Sequence, residues 1–242
     1  MVNGFVDLHS HILPGVDDGS QDMQETLRML KLAYDEGIRT IIATPHYEAG
    51  AKHVTPEQLS RIRDQVQAEA EKIDQNMKIL LGNEIYYSES VPEAIRSGMA
   101  LTLAGSRYVL IEFSPKETFK NIYRGLGELV RAGYLPILAH MERYRCLYKE
   151  EDKVLELINL GCYLQMNVSS LCGGILDTES AYCRKLVKQG LIHFLGSDCH
   201  DDKVRIPSML RAMERLKKKC DEEVLERLFY EHPFKVLENT YI

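Results

Sequence analysis

The strongest constraint on this 242-residue chain is a repeated local grammar: a short apolar run, a helix-patterned segment, and often a glycine before the next run. The runs occupy 5–9, 40–44, 79–82, 108–113, 135–140, 162–167 and 192–196, and most are rich in Ile, Val and Leu. Runs this continuous suit strands buried on both faces, as in a parallel sheet. Helical patterning fills 24–35, 56–74, 120–132, 151–160, 179–189 and 207–219, and 222–230 adds a last helix. Gly37, Gly133, Gly161 and Gly190 each stand between a helix and the next run, where glycine supplies a left-handed C-cap without steric cost. No linker or shift in composition divides the chain, so 1–242 reads as a single domain. Seven β/α units at this length predict an α/β fold, a distorted seven-stranded TIM-like (β/α)7 barrel, in preference to an open doubly wound sheet.

In such folds the C-terminal ends of the strands carry the chemistry. Here those ends read Asp7-Leu8-His9-Ser10-His11, Thr44-Pro45-His46, Gly82-Asn83-Glu84, Ile111-Glu112-Phe113, Ala139-His140 and Gly196-Ser197-Asp198-Cys199-His200, with Asn167 ending the sixth run. One histidine after a strand is more often a core residue than a ligand. Six strand ends agreeing on His, Asp or Glu is a different matter, because unpartnered burial of such groups is costly. A divalent metal centre is the simplest common partner. His9 and His11, two apart on a strand, share a face and can chelate one ion, and Asp198 and His200 repeat that spacing. Mixed imidazole and carboxylate ligation suits manganese, iron or zinc better than magnesium or calcium. The loop at 13–19 adds Asp17 and Asp18, which either form a plain acidic turn or bring a carboxylate, expected to be Asp18, to a metal.

The formal charge of −6 argues against binding nucleic acid by bulk electrostatics. No run of 18 apolar residues suggests membrane insertion, and the first residues lack a signal-peptide pattern, so a cytoplasmic location is expected. The six cysteines have no C-x-x-C pair and read as reduced thiols.

Taken in order, D-L-H-S-H, T-P-H, G-N-E-I-Y-Y, I-E-F, A-H-M-E-R-Y and G-S-D-C-H resemble the polymerase and histidinol phosphatase (PHP) superfamily. Within it they are most similar to the bacterial manganese-dependent protein-tyrosine phosphatases of capsular and exopolysaccharide loci. The resemblance implies a PHP-fold barrel with three divalent ions. His9, His11, Glu84 and Asp198 would hold the first; Glu84 would bridge to the second, with Glu112 and His140. Asp18, His46 and His200 would hold the third. Arg143 and Arg205 resemble the phosphate-binding arginines of this group. A metal-bridging hydroxide would attack phosphorus, with Asp198 or His200 as a candidate proton donor to the leaving tyrosyl oxygen. The implied substrate is a phosphotyrosine protein, by analogy the C-terminal tail of a bacterial tyrosine kinase controlling polysaccharide export. A small-molecule phosphatase such as histidinol phosphatase, a phosphodiesterase, and a non-catalytic PHP binding module are the alternatives.

The stretch from Cys199 to Arg205 also fits C-x5-R, the pattern of cysteine-based tyrosine phosphatases. It has no glycine to cradle a dianion and carries Asp201 and Asp202, so that reading is rejected. Tyr86 and Tyr87 divide between a peptide groove and packing, and Asn167 and Ser169 are candidates to line the site. His53, His193 and His232 read as structural or surface residues. Met166, Met209 and Met213 read as core filler, and Lys217-Lys218-Lys219 as a solvated face.

Overall fold

Every apolar run becomes a parallel strand, and two runs continue past a break into a second short strand. The computed structural model describes residues 4–52, 54–174 and 176–242; His53 lies outside them. The strands are β1 (Phe5–Ser10), β2 (Ile38–Ala43), β3 (His46–Glu48), β4 (Lys78–Leu81), β5 (Glu84–Tyr86), β6 (Tyr108–Glu112), β7 (Leu135–Leu138), β8 (Tyr163–Asn167) and β9 (Phe194–Gly196). The described residues thus hold nine strands where seven were expected. Thr44-Pro45 separates β2 from β3, and Pro45 has no N–H to continue a ladder. Gly82-Asn83 separates β4 from β5 at the same level. The two breaks are joined: the Glu84 N–H donates to the Thr44 and Pro45 carbonyls, and Asn83 Nδ2 donates to Pro45 O at 2.8 Å.

Two parallel sheets result, ordered β1-β2-β4 and β3-β5-β6-β7-β8-β9. The end of β1 also meets the chain just after β9. Ser10 and Cys199 form a parallel bridge, Asp198 N–H donates to His9 O at 2.8 Å, and His11 N–H donates to Cys199 O at 2.9 Å. The first and last chemistry-bearing motifs are thereby side by side.

The helices are α1 (Met23–Asp35), α2 (Pro56–Ile73), α3 (Val91–Arg96), α4 (Phe119–Arg131), α5 (Glu151–Asn159), α6 (Thr178–Lys188), α7 (Met209–Leu216), α8 (Glu222–Glu226) and α9 (His232–Glu238). Their starts are chemically marked. Thr55 and Gln58 form a capping box ahead of α2, and Asp22, Thr118 and Asp177 cap α1, α4 and α6. All four C-cap glycines take positive φ, as expected. The last helical segment runs further than its pattern implied. Arg227–Glu231 forms wider π turns that lead into α9, whose first turn contains Pro233. None of these helices is long and apolar enough to cross a membrane. Leu8, Ile42, Leu110, Ile137 and Phe194, from five strands, pack into one apolar cluster closed by Val236 of α9. A larger cluster joins the helices to the sheets and includes Met166, Met209 and Met213.

Beneath the sheets, His193 and His232 are structural. Leu164 N–H donates to His193 Nδ1 at 3.1 Å, which requires a neutral ring, and His232 Nδ1–H donates to His193 O at 2.8 Å. Burial, then the neighbouring His232 charge, pushes His193 down to about 4. The unfolded chain, with an ordinary histidine near 6.5, binds the extra proton first. This contribution is complete above pH 6.5 and is lost as pH falls toward 4. We expect urea unfolding to show a loss on the order of 2 kcal/mol from this residue across that window. In His193→Asn, whose amide oxygen can accept the same hydrogen bond without titrating, the acid-dependent loss should shrink. An unchanged pH profile would refute the assignment.

Candidate metal centre

The strand-end residues converge. His9, His11, Glu84 and Asp198, all buried, each offer a ligand atom within 4.8 Å of the others. Glu84 Oε2 lies 3.1 Å from both His9 Nε2 and His11 Nε2. Asp198 Oδ1 lies 3.4 and 3.5 Å from the same two nitrogens. A second group comprises Asp18, His46 and His200, and it also takes in His11. Asp18 Oδ1 is 3.3 Å from His46 Nε2 and 3.4 Å from His200 Nε2. In the third, Glu84 and Glu112 are joined by His46, in place of the expected His140, which stands beside the group and contacts both carboxylates. His140 Nε2 sits 2.8 Å from Glu84 Oε1 and 3.3 Å from Glu112 Oε1, while His46 Nδ1 sits 3.2 Å from Glu84 Oε2. Eight of the nine residues expected to be ligands fall in these groups, with His11, His46 and Glu84 shared between them, and His140 adjoins the third. The floor is buried, and Asp18 and His46 form an exposed mouth.

Residues not singled out as ligands hold these groups in place. His11 Nδ1–H donates to Asp17 Oδ2 at 2.7 Å, His9 Nδ1–H to Gln165 Oε1 at 3.2 Å, and His200 Nδ1–H to the Asp198 carbonyl at 2.9 Å. Each of these three rings thus spends its outer nitrogen on an acceptor and turns Nε2 inward, the arrangement expected of metal-ligating imidazoles, whereas His140 Nδ1 is buried without a partner. The Asp17–Asp18 pair divides its work: Asp17 orients His11 and accepts from the Gly19 and His46 N–H groups, while Asp18 faces the cluster. Gly19 is required there, since a Cβ would run into the His11 backbone. Gly196 has a similar reason, because a Cβ would stand 2.7 Å from His9 Cβ. Asp7 accepts from Ser197 N–H at 2.9 Å and from its hydroxyl, tying β1 to β9. Gln165 carried no usable sequence signal, and the sequence marked Asp17 only as half of an acidic pair, because the role of each depends on partners brought close by folding.

The inward nitrogens test whether a metal fits. His9 Nε2 and His11 Nε2 face each other at 3.3 Å, with two carboxylates alongside. Two imidazole lone pairs at that separation need a cation between them, either protons or a metal. Without a metal, burial opposes charge on His11, but Asp17 and Glu84 outweigh it and raise the ring to about 10. Burial likewise works against the Glu84 carboxylate, yet His9, His11 and His140 hold it well below the usual range. The cluster is built to hold positive charge, and its mixed nitrogen and oxygen donors suit a divalent transition ion. Two of its members carry backbone strain, His140 at φ 32° and Asp198 at φ 51°, both in the left-handed region that non-glycine residues rarely adopt.

Arg143 Nη2 and Arg205 Nη2 each lie 2.7 Å from Asp198 Oδ2, and Asn167 Nδ2 donates to the same oxygen at 2.8 Å. Oδ1 is left to face the histidines. A cleft of about 590 Å³ opens here, lined in part by Arg143, Asn167, Arg205 and Ser169. A second, of about 700 Å³, shares Arg143 and is walled by Tyr148, Tyr182, Glu142, Asp177 and Glu179. Tyr86 is exposed, whereas Tyr87 packs: it stacks on Phe113 and donates to Glu128 at 2.5 Å.

Cys199 is buried with Sγ against Ser10 Oγ at 3.3 Å, and burial pushes its thiol up to about 12. A thiolate nucleophile is not available at neutral pH. Asp201 accepts from the Lys203, Val204 and Arg205 N–H groups, so this loop is a carboxylate-capped turn and not a phosphate cradle. Cys199→Ser should leave kcat/KM within about threefold of the parent. Abolished turnover at normal metal content would reinstate the cysteine. All six cysteines are free.

A family model described as capsular polysaccharide synthesis, CpsB/CapC, matches residues 5–238. The tyrosine-protein phosphatase CpsB of Streptococcus agalactiae serotype V is 33% identical over 243 residues, covering 98% of this chain and 100% of that protein. The tyrosine-protein phosphatase YwqE of Bacillus subtilis is 32% identical over 220 residues, 91% of this chain and 87% of its own. Among solved structures, one from work on YwqE of Bacillus subtilis and CpsB of Streptococcus pneumoniae, described as metal-dependent tyrosine phosphatases, superposes with a TM-score of 0.89. Its identity is 32%, over 98% of this chain and 96% of that one. The histidinol phosphate phosphatase of Lactococcus lactis matches at TM-score 0.58 and 16% identity, over 89% and 93% of the two chains, a likeness of fold alone.

Proposed function

The chain belongs to the CpsB/CapC family of capsular polysaccharide synthesis, and from that premise we propose that it is a metal-dependent protein-tyrosine phosphatase, a phosphoric monoester hydrolase. The observation that carries the reading is the convergence of inward-turned imidazoles and carboxylates beside two arginines. We read the fold as one domain, 1–242, with β2–β3 and β4–β5 as two interrupted strands of a distorted (β/α)7 barrel that the β1–β9 bridge helps to close.

Three divalent ions, most suitably manganese, would be held by His9, His11, Glu84 and Asp198; by Glu84, Glu112 and His140; and by Asp18, His46 and His200. When bound, such ions offset phosphate charge and lower the pKa of water, so that water can act as the nucleophile at neutral pH. Three dications outweigh four carboxylates, so an acidic protein presents a positive site to a dianion. Arg143 and Arg205 each keep guanidinium N–H groups beyond the one spent on Asp198, and these can grip the equatorial phosphoryl oxygens. Asp198 and His200 serve as ligands in this scheme, and either is also the candidate proton donor to the leaving tyrosyl oxygen. Burial disfavours the Asp198 carboxylate, but His9 and Arg143 keep it ionised. Without metal, burial and then the His11 charge lower His200 to about 4. A tyrosyl phenolate, with an ordinary pKa near 10, is a tolerable leaving group unaided.

The exposed mouth at Asp18 and His46 suits a phosphotyrosine on a protein surface. We infer that the substrate is the C-terminal tail of a bacterial tyrosine kinase governing polysaccharide export, met in the cytoplasm. The test is a phosphatase assay on metal-stripped protein with manganese added back, comparing a phosphotyrosine peptide, histidinol phosphate and an oligonucleotide. Manganese-dependent hydrolysis of the phosphotyrosine peptide is expected. Hydrolysis of only the other two would overturn the reading.

A further inference from the structure

The 590 Å³ cleft beside Asp198 extends past the two arginines assigned to the phosphoryl group. Its wall also includes Lys203 and Arg211. Neither of these side chains has a carboxylate within 4.0 Å among the described residues, in contrast to Arg143 and Arg205. The acids nearest in sequence are engaged elsewhere. Asp201 caps its own turn through three backbone N–H groups, and Asp202 pairs with Arg28 and feels Lys203 only at longer range. Glu36 meets only the backbone N–H groups of Leu210 and Arg211 at the start of α7. Among the lining residues the one carboxylate is Asp198, whose Oδ2 is already taken by three donors. Two cations without a paired carboxylate thus line the same cleft as the phosphate-binding pair.

We propose that this cleft is a second anion subsite, seating a carboxylate or phosphoryl group carried on the same peptide as the phosphotyrosine. The inference rests on the phosphatase reading above and narrows it to acidic or multiply phosphorylated segments. An extended peptide advances about 3.3 Å per residue, so a neighbouring side chain can reach past Arg143 or Arg205 while the phosphotyrosine stays at the centre. The subsite is directional. In the other cleft bordered by Arg143, three acids, Glu142, Asp177 and Glu179, stand against Arg143 and Arg145, so it is the less favourable side for the same anion.

The test uses the full chain loaded with manganese and three phosphotyrosine peptides, flanked by asparagine, by aspartate, or by a second phosphotyrosine. The anionic peptides should show KM lower by about tenfold, the effect of one charge-assisted contact, with kcat little changed. The larger gain of the two identifies the source of the anion. In Lys203→Ala/Arg211→Ala, and in the milder Lys203→Gln, the ratio of anionic to neutral kcat/KM should fall toward one. Added salt should compress the ratio in the parent. Equal KM for all three peptides in the parent overturns the subsite while leaving the phosphatase reading intact, and so does a ratio that survives the double variant. Failure to hydrolyse any of the three overturns both.

Discussion

Glu84→Ala should abolish phosphotyrosine hydrolysis and bring bound metal below three ions per chain. Glu84 is the one carboxylate that touches every part of the centre. Its Oε2 lies 3.1 Å from His9 and His11 and 3.2 Å from His46, and its Oε1 lies 2.8 Å from His140. Removing it leaves four imidazoles around a buried vacancy with their common counter-charge gone. Asp198 cannot move in, because its Oδ2 is held by two arginines and Asn167, and Glu112 reaches only His140 and His46. We expect kcat/KM to fall by at least ~10³-fold, since on the proposed reading Glu84 would hold the metals that neutralise phosphate charge and activate water. Glu84→Gln keeps the volume and separates chemistry from packing: it should also lose metal, with a smaller cost in stability. Metal analysis alongside steady-state kinetics decides the matter. Full metal content with full activity in either variant would remove Glu84 from the centre.

Arg143→Ala should give the complementary result: unchanged metal content, with kcat/KM lower by about 10²–10³-fold. Arg143 follows the strained His140, in a short turn that aims its guanidinium at Asp198 Oδ2. It touches the side of the ligand that faces away from the histidines. Arg205 and Asn167 hold the same oxygen, so Asp198 stays in place when Arg143 is removed. On the proposed reading, what is lost is a donor to the developing charge on the equatorial phosphoryl oxygens. Arg143→Lys should recover only part of the rate, because an ammonium cannot offer the guanidinium's planar fork. Loss of metal in step with activity would show Arg143 to be a support for the centre instead of a phosphate contact.

The legible parts of this chain were local. Apolar continuity and the glycines after helices marked the strands, and the H-x-H and D-x-H spacings put side chains on common faces without reference to distant sequence. The illegible parts depended on where separate segments meet. Pro45 and Gly82-Asn83 each looked like an ordinary strand end, yet they break two strands at adjacent points and stitch the pieces together. Helix α3 was missed because it is only six residues long. Asp17 and Asp18 are chemically identical in sequence, and only the fold of the loop onto His11 assigns one to orientation and the other to the mouth.

By itself, then, the sequence determined the alternating β/α order, the rim on which polar residues collect, and the residue types available there. Alternation along a strand and capping at a helix end are set within a few residues, so they survive being read in one dimension. Tertiary structure alone decided that His11, His46 and Glu84 are shared between groups, that Gln165 and Asp17 set the ring orientations, and that Cys199 is buried against Ser10. Those outcomes depend on angstrom-scale distances between residues as far apart as Asp7 and Ser197, and such distances exist only once β1 and β9 lie side by side.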